Sequence, residues 1–185
     1  MNSVLKLTKD TKVEFAFGKV TEGKEQQVFA EYFPLAGPIM AEYGLQPLVQ
    51  FAVLASNLDG VQPTQGSMSQ WPQVDRYEKV ISDERFAKHR PIRDEAMDLL
   101  SDGHIFDTND GDIAINSNDE YGFIVSGDVP PHLNSLVQLD LAEGSFNQEY
   151  SNKSLALFPW SSEAETLLEK NQAELTILKV RFSLQ

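Results

Sequence analysis

Two stretches of this chain follow the same order of elements, and that order restricts the fold more than any single motif does. The first runs Phe51-Ala52-Val53-Leu54, then Asp59-Gly60, then Trp71-Pro72, then a helix-patterned stretch over residues 73–82. The second runs Val137-Gln138-Leu139-Asp140-Leu141, then Glu143-Gly144, then Pro159-Trp160, then a helix-patterned stretch over residues 161–170. Strand, turn glycine, strand, Trp/Pro, helix recurs in both. An internal repeat of this size predicts two related β-rich halves packed on each other. It names no reaction.

The periodicity between these landmarks fills in the first half. Residues 12–20 alternate, with Val13, Phe15 and Phe17 on one face and Glu14, Ala16 and Gly18 on the other, the pattern of a half-buried strand. Residues 22–43 change period. Val28, Phe29, Tyr32, Phe33, Ala36, Ile39, Met40 and Tyr43 recur at helical spacing, and Gly44 stops the helix. Pro34 and Pro38 lie inside it, so a kink or break is expected around Gly37-Pro38. Strands follow at 46–55 and 67–71, helices at 73–82 and 83–100 with an interruption near Pro91, and a fourth strand at 103–107. That order is β-α-β-β-α-β, a split βαβ unit of the ferredoxin-like kind, over residues 1–108.

The acidic turn at 107–112 is the expected boundary. The second unit, 109–185, has strands at 121–126, 135–141, 154–158 and 173–184. A helix at 161–170 has Ser161 or Ser162 as its N-cap. Gly127-Asp128-Val129-Pro130-Pro131 stands where the first helix would be and cannot hold a long one. The second unit is therefore degenerate, lacking its first helix.

Composition removes several classes of function. No apolar run approaches the roughly 18–20 residues that span a bilayer, and residues 1–12 lack an apolar signal core. The chain has no cysteine, which excludes disulfides, thiolate metal sites and cysteine nucleophiles, and fits the cytoplasm. A formal charge of −13 argues against binding nucleic acid or an anionic membrane surface. The basic residues are unevenly placed. None lies between Lys24 and Arg76, six lie from Arg76 to Arg93, and none lies between Arg93 and Lys153. Arginine suits a planar anion gripped by two hydrogen bonds. The alternative is a solvated helical face paired with the acidic remainder.

The residues from Tyr32 to Gly44, Trp71-Pro72, Ser82-Asp83-Glu84-Arg85-Phe86 and Pro91-Ile92-Arg93-Asp94 give residues 13–106 a family likeness. This part resembles the dimeric α+β barrel superfamily, and in particular small uncharacterised bacterial proteins within it. The second half departs from the pattern, since it has no first helix and no counterpart of Arg93. The resemblance implies a barrel made from two ferredoxin-like sheets, here both in one chain, and hence a monomer or weak homodimer. The superfamily includes cofactor-free monooxygenases of aromatic polyketides, muconolactone isomerases, haem enzymes and ligand sensors, so the fold alone does not set the function.

His89, Arg93 and His104 are the candidate catalytic residues. His89 and Arg93 are four apart and share a helix face, and His104 belongs to the neighbouring strand. Together they can hold an anionic or enolic oxygen and exchange a proton. Otherwise His89 is a surface residue, Arg93 caps a helix or pairs with Asp94 or Asp98, and His104 is a satisfied edge histidine. Tyr32, Tyr43 and Trp71, with Phe33, are candidates for lining an apolar ligand pocket, or are simply core.

Asp107 to Asp112 fails as a calcium loop. Counting from Asp107, glycine falls at the fifth position and Asn118 stands where the bidentate glutamate belongs. No zinc, P-loop, dinucleotide or serine-hydrolase pattern appears, and no cofactor is expected. Two readings remain. One is a cofactor-independent monooxygenase- or isomerase-like enzyme on a small aromatic or enolic molecule. The other is a non-catalytic ligand-binding or structural domain.

Overall fold

A computed structural model describes residues 1–126, 129–147, 154–170 and 175–183. The strands are β1 (Asn2–Leu7), β2 (Lys12–Val20), β3 (Gln46–Ser56), β4 (Gln65–Trp71), β5 (Met97–Asp107), β6 (Gly111–Asn116), β7 (Tyr121–Ser126), β8 (Val137–Asp140), β9 (Ser154–Pro159) and β10 (Leu175–Ser183). The helices are α1 (Phe33–Glu42), α2 (Arg76–Ile81), α3 (Glu84–Asp94) and α4 (Ser162–Lys170), and a π-helical segment, Gln27–Tyr32, leads into α1.

In the first half β5, β2, β4 and β3 lie side by side in that order, all antiparallel. This is the strand order of a split βαβ unit. In the second half β10, β7, β9 and β8 take the same relative order, again antiparallel. Among the described residues no helix lies between β7 and β8. Gly127 and Asp128 of that connection, and positions 173, 174 and 184 of the last expected strand, lie outside the described residues.

Pairing of β3 with β10 joins the two sets into one eight-stranded sheet. At the outer ends, Phe106 of β5 forms a bridge with Leu141 beside β8, and the Ala142 N–H donates to the Ile105 carbonyl at 2.8 Å. The sheet thereby curls round and closes. The fold is α+β, with ferredoxin-like units forming a pseudo-dimeric barrel in a single chain.

Alternation explains the barrel interior. Every second residue of each strand points inward, so Phe15 and Phe17 of β2, Phe51 of β3, Phe123 of β7, Leu155 and Leu157 of β9, and Val180 and Phe182 of β10 meet in one core. Phe15, Phe51 and Phe123 pack with ring centroids 4.8–5.5 Å apart. Gly66 is the register partner of Phe51, and a Cβ there would collide with the Phe51 ring. Each fully buried ring contributes about 1.5–3 kcal/mol.

Several expected boundaries move. The helix does not break at Gly37-Pro38; α1 runs through Pro38, and the irregular turn is the π-helical segment before it. Pro34 lies in the first turn of α1, where a missing N–H costs little. Nor does Pro91 interrupt α3, which continues to Asp94. Residues 97–100, expected in that helix, belong to β5, because Met97, Leu99 and Leu100 pair with Val20, Lys19 and Gly18. The acidic turn is shorter than expected, since Gly111 and Asp112 open β6. β6 pairs with β1 across more than a hundred residues, and Leu5, Leu7, Ile113 and Ile115 join the barrel core. Two expectations about helix ends hold in detail. Gly44 follows α1 with φ +93°, and Ser161 accepts a hydrogen bond from the Ala164 N–H ahead of α4. No helix among the described residues is long and apolar enough to cross a membrane.

Candidate functional site

The site is built on the outer face of the first sheet. Val13, Phe15 and Phe17 turn into the barrel, so Glu14, Ala16 and Gly18 turn outward. On a solvated strand that would be an ordinary polar face. Here the π-helical segment and α1, α2 and α3 lie over it, and Glu14 is only 9% exposed. Ala16, Gly18, Ser67 and Ser69 are too small to fill the gap beneath the helices. A cavity of about 400 Å³ remains, within the range of small-molecule sites.

Phe29, Tyr32, Phe33, Trp71, Tyr77 and Phe86 give it an aromatic wall. Phe29 and Phe33 stack with centroids 6.0 Å apart and are about half exposed, which places a mouth at the π-helical segment. Such segments occur often at functional sites.

The polar groups gather at one end. The Trp71 indole N–H donates to Glu14 Oε2 at 2.8 Å, and the Gly103 amide donates to Oε1 at 3.2 Å. Burial pushes the Glu14 carboxyl up to about 7. The hydrogen bond from Trp71 opposes this, and the charge of Asp102 adds to it. Glu14 thus exchanges its proton near neutrality. Burial, helped by the charge of Asp102 and a hydrogen bond to it, raises the Tyr77 phenol above its ordinary range. Burial pushes Tyr32 up to about 12.

Arg93 Nη1 donates to Asp102 at 3.0 Å, while Nε and Nη2 donate to Asp94 at 2.9 and 2.8 Å. Its guanidinium carbon lies 5.6 Å from the Tyr32 ring centroid, a cation–π contact. A second hollow of about 320 Å³ shares Tyr77, Arg93 and Asp102 on the side toward Arg90 and Phe146.

The second half reaches into this site through residues 141–147. The Asn147 N–H donates to the Gly103 carbonyl at 2.9 Å, and its side chain donates to the Asp102 carbonyl at 3.2 Å. Ser145 Oγ accepts from the Ile105 N–H at 3.0 Å. Phe146 packs on Tyr77 at 5.3 Å. These contacts grip β5 at the bulge where its register with β2 shifts. Gly103 there has φ +74°, and Tyr77 and Phe146 occupy the space a side chain would need. The bulge is what aims the Gly103 amide at Glu14.

Four of the seven residues singled out from sequence come together here: Tyr32, Phe33, Trp71 and Arg93 all line the cavity. The other three do not join them. His104 pairs in register with Phe15 and so shares the inward face of the sheet, where its ring meets Ser101 Oγ at 2.9 Å and Asn147 Nδ2 at 3.3 Å. The bulge at Asp102–Gly103 sets that face. His89 is half-buried on α3 and does not line the cavity. Tyr43 closes α1, donating to Asp83 Oδ2 at 3.0 Å, while hydrogen bonds from Arg85 hold the Asp83 carboxyl below the usual range.

The residues that sequence reading passed over are Glu14, Tyr77 and Asp102. One signal was present. A central strand of a split βαβ unit has its second face under the helices, so a Glu-x-Ala-x-Gly face on β2 is a buried acid above empty space.

No known protein-family model matches the chain, and no curated protein does. Among solved structures, an anthrone oxidase-like protein superposes with a TM-score of 0.54 at 16% identity, over 98% of this chain and 95% of that one. A protein of unknown function from Rhodopseudomonas palustris matches with a TM-score of 0.45 at 12% identity, over 57% of this chain and 87% of that one. A candidate monooxygenase from Lactobacillus acidophilus matches with a TM-score of 0.43 at 8% identity, over 94% of each chain. The first likeness supports the fold alone, an α+β barrel, and the two looser ones carry no argument.

Proposed function

We propose that the chain is a cofactor-independent enzyme of the monooxygenase or isomerase kind, acting on a small aromatic or enolic molecule held in the first-half cavity. The observation that carries this reading is Glu14, a buried carboxyl titrating at about 7 at the polar end of a cavity walled by aromatic rings. A base poised near the working pH suits proton abstraction. Glu14 takes a proton from the carbon beside a carbonyl or from an enol hydroxyl, leaving an enolate against the apolar wall. In isomerisation the proton returns at another carbon. In oxygenation a CH₂ reacts with dioxygen, one oxygen atom becoming the carbonyl and the other leaving with the two hydrogens as water. The name of the anthrone oxidase-like neighbour points the same way.

The test is to incubate the protein with an anthrone or a similar enolisable ketone, following oxygen uptake and exchange of the acidic hydrogen for deuterium. Glu14→Gln should lower either rate by about 10²–10⁴-fold, the usual worth of a positioned base. Binding with neither exchange nor oxygen uptake would favour the non-catalytic reading instead.

We further propose that the two halves descend from one unit and that the chain acts alone. Closure of the barrel by Phe106 and Leu141 supports this, because it leaves neither sheet end waiting for a partner. Light scattering at micromolar concentration should give the monomer mass; a tight dimer through the sheet would overturn it.

A further inference from the structure

We infer that the cavity selects a neutral ligand carrying a hydroxyl donor, a phenol or enol in its protonated form, and rejects carboxylates and phenolates of the same size. The inference rests on the cavity reading above and adds the charge state of what enters.

Among the described residues, Arg93 is the one basic side chain that lines the cavity. An arginine free to grip an anion presents its planar fork. This one has Nη1 on Asp102 and both Nε and Nη2 on Asp94, at 2.8–3.0 Å, and its face on Tyr32. The guanidinium is a wall of the site, already neutralised. Acids outnumber it, since Glu14 and Asp102 both line the cavity. An anion entering there would meet like charge in a poorly solvated space, with no unspent cation to offset it.

The hydrogen-bonding inventory points the same way. The Trp71 indole N–H is committed to Glu14, and the Gly103 amide likewise. An ionised carboxylate offers about four lone-pair directions, so roughly two remain on Glu14 for a donor brought by the ligand. An O–H donating to a buried carboxylate is among the stronger hydrogen bonds. With aromatic walls and about 400 Å³, the matching ligand has two or three fused rings and one donor hydroxyl.

The experiment is calorimetric titration of the intact chain with 2-naphthol, 2-methoxynaphthalene and 2-naphthoate, at a pH above the titration of Glu14 and below that of the naphthol. The naphthol should bind at least about tenfold more tightly than either other probe, the factor expected for a hydrogen bond to a charged group. Glu14→Gln should shrink that preference to a few-fold, and Ala16→Ile, which fills the cavity floor, should abolish naphthol binding. Naphthoate binding as tightly as naphthol, or more so, would overturn the charge selection and leave the cavity reading standing. Equal binding of the methoxy compound would overturn the donor requirement alone. Silence from all three probes, or naphthol binding that survives Ala16→Ile, would bring down the cavity reading and this inference with it.

Discussion

The two halves share a strand order, yet among the described residues one encloses a cavity beneath its helices and the other packs side chains beneath α4. Register makes the comparison residue by residue. In the first half Glu14 faces Ser69 and Ala16 faces Ser67 across β2 and β4. At the matching places in the second half, Gly122 faces Phe158 and Ile124 faces Ala156 across β7 and β9. There the Phe158 ring lies over Gly122, where no Cβ would fit, and packs with Ile124, Ile177, Ala164 and Leu167 under α4. The tryptophans differ too. Trp71 is buried and donates to Glu14, whereas Trp160 donates to Glu165 at 2.7 Å with the Lys179 ammonium over its ring. One architecture thus serves as a container or as a solid support, and a few side chains on one sheet face decide which.

The sharpest way to break the comparison is Phe158→Ala. If the second half is solid because of that ring, its loss leaves a void and costs about 3–5 kcal/mol, read as a lower urea midpoint. A loss under about 1 kcal/mol would show that the ring is not what fills this half.

The next effect belongs to Glu14 and has a sign. Its carboxyl rises from 4.5 to about 7 on folding, so between those values the folded chain holds the proton more tightly than the unfolded one. Stability from this group is full below pH 4.5 and is lost as pH rises through about 7, a change on the order of 3 kcal/mol. Subtracting the stability–pH curve of Glu14→Gln from that of the natural chain should leave this fall and nothing of the opposite sign. The second half has Gly122 at the matching position, so it has no counterpart of this carboxyl there.

Arg93→Ala should cost about 1–3 kcal/mol. It leaves Asp102 without its cation, but the pair keeps some solvent contact, with 16% and 23% of the side chains exposed. Chemical unfolding measures it, and an unchanged midpoint would mean the pair adds nothing. Smallest for stability is Ala16→Ile, expected within about 1 kcal/mol because it adds volume to empty space and not to a packed core. A large destabilisation would say that the hollow is already tightly filled.

Legibility followed the range of the interactions. The β2, β3 and β4 positions, the α4 cap at Ser161 and the stop at Gly44 came from spacings within a few residues. The β1–β6 pair was not visible, because its strands meet at a separation where neither run constrains the other. Residues 97–100 carried Leu99 and Leu100 at a spacing that suits helix or strand, and pairing with β2 chose strand. In the site, Tyr32, Trp71 and Arg93 stood out as large or charged residues in suggestive places. Glu14 did not, since an acid in an alternating strand reads as polar-out until something covers that face.

By itself the sequence determined the α+β class and the split βαβ order of its first half, because alternation, helical spacing and glycine stops are local rules. It also carried the small residues that leave a space and the large ones that fill its counterpart. The tertiary structure alone decided which face of each strand is wrapped by helices, and which face His104 takes after the bulge. It also decided that Arg93 meets two carboxylates and that residues 141–147 hold the Gly103 amide against Glu14. Each depends on how folding arranges groups against one another, some near in sequence and some far apart, where burial changes a carboxyl's proton affinity and proximity uses up a cation.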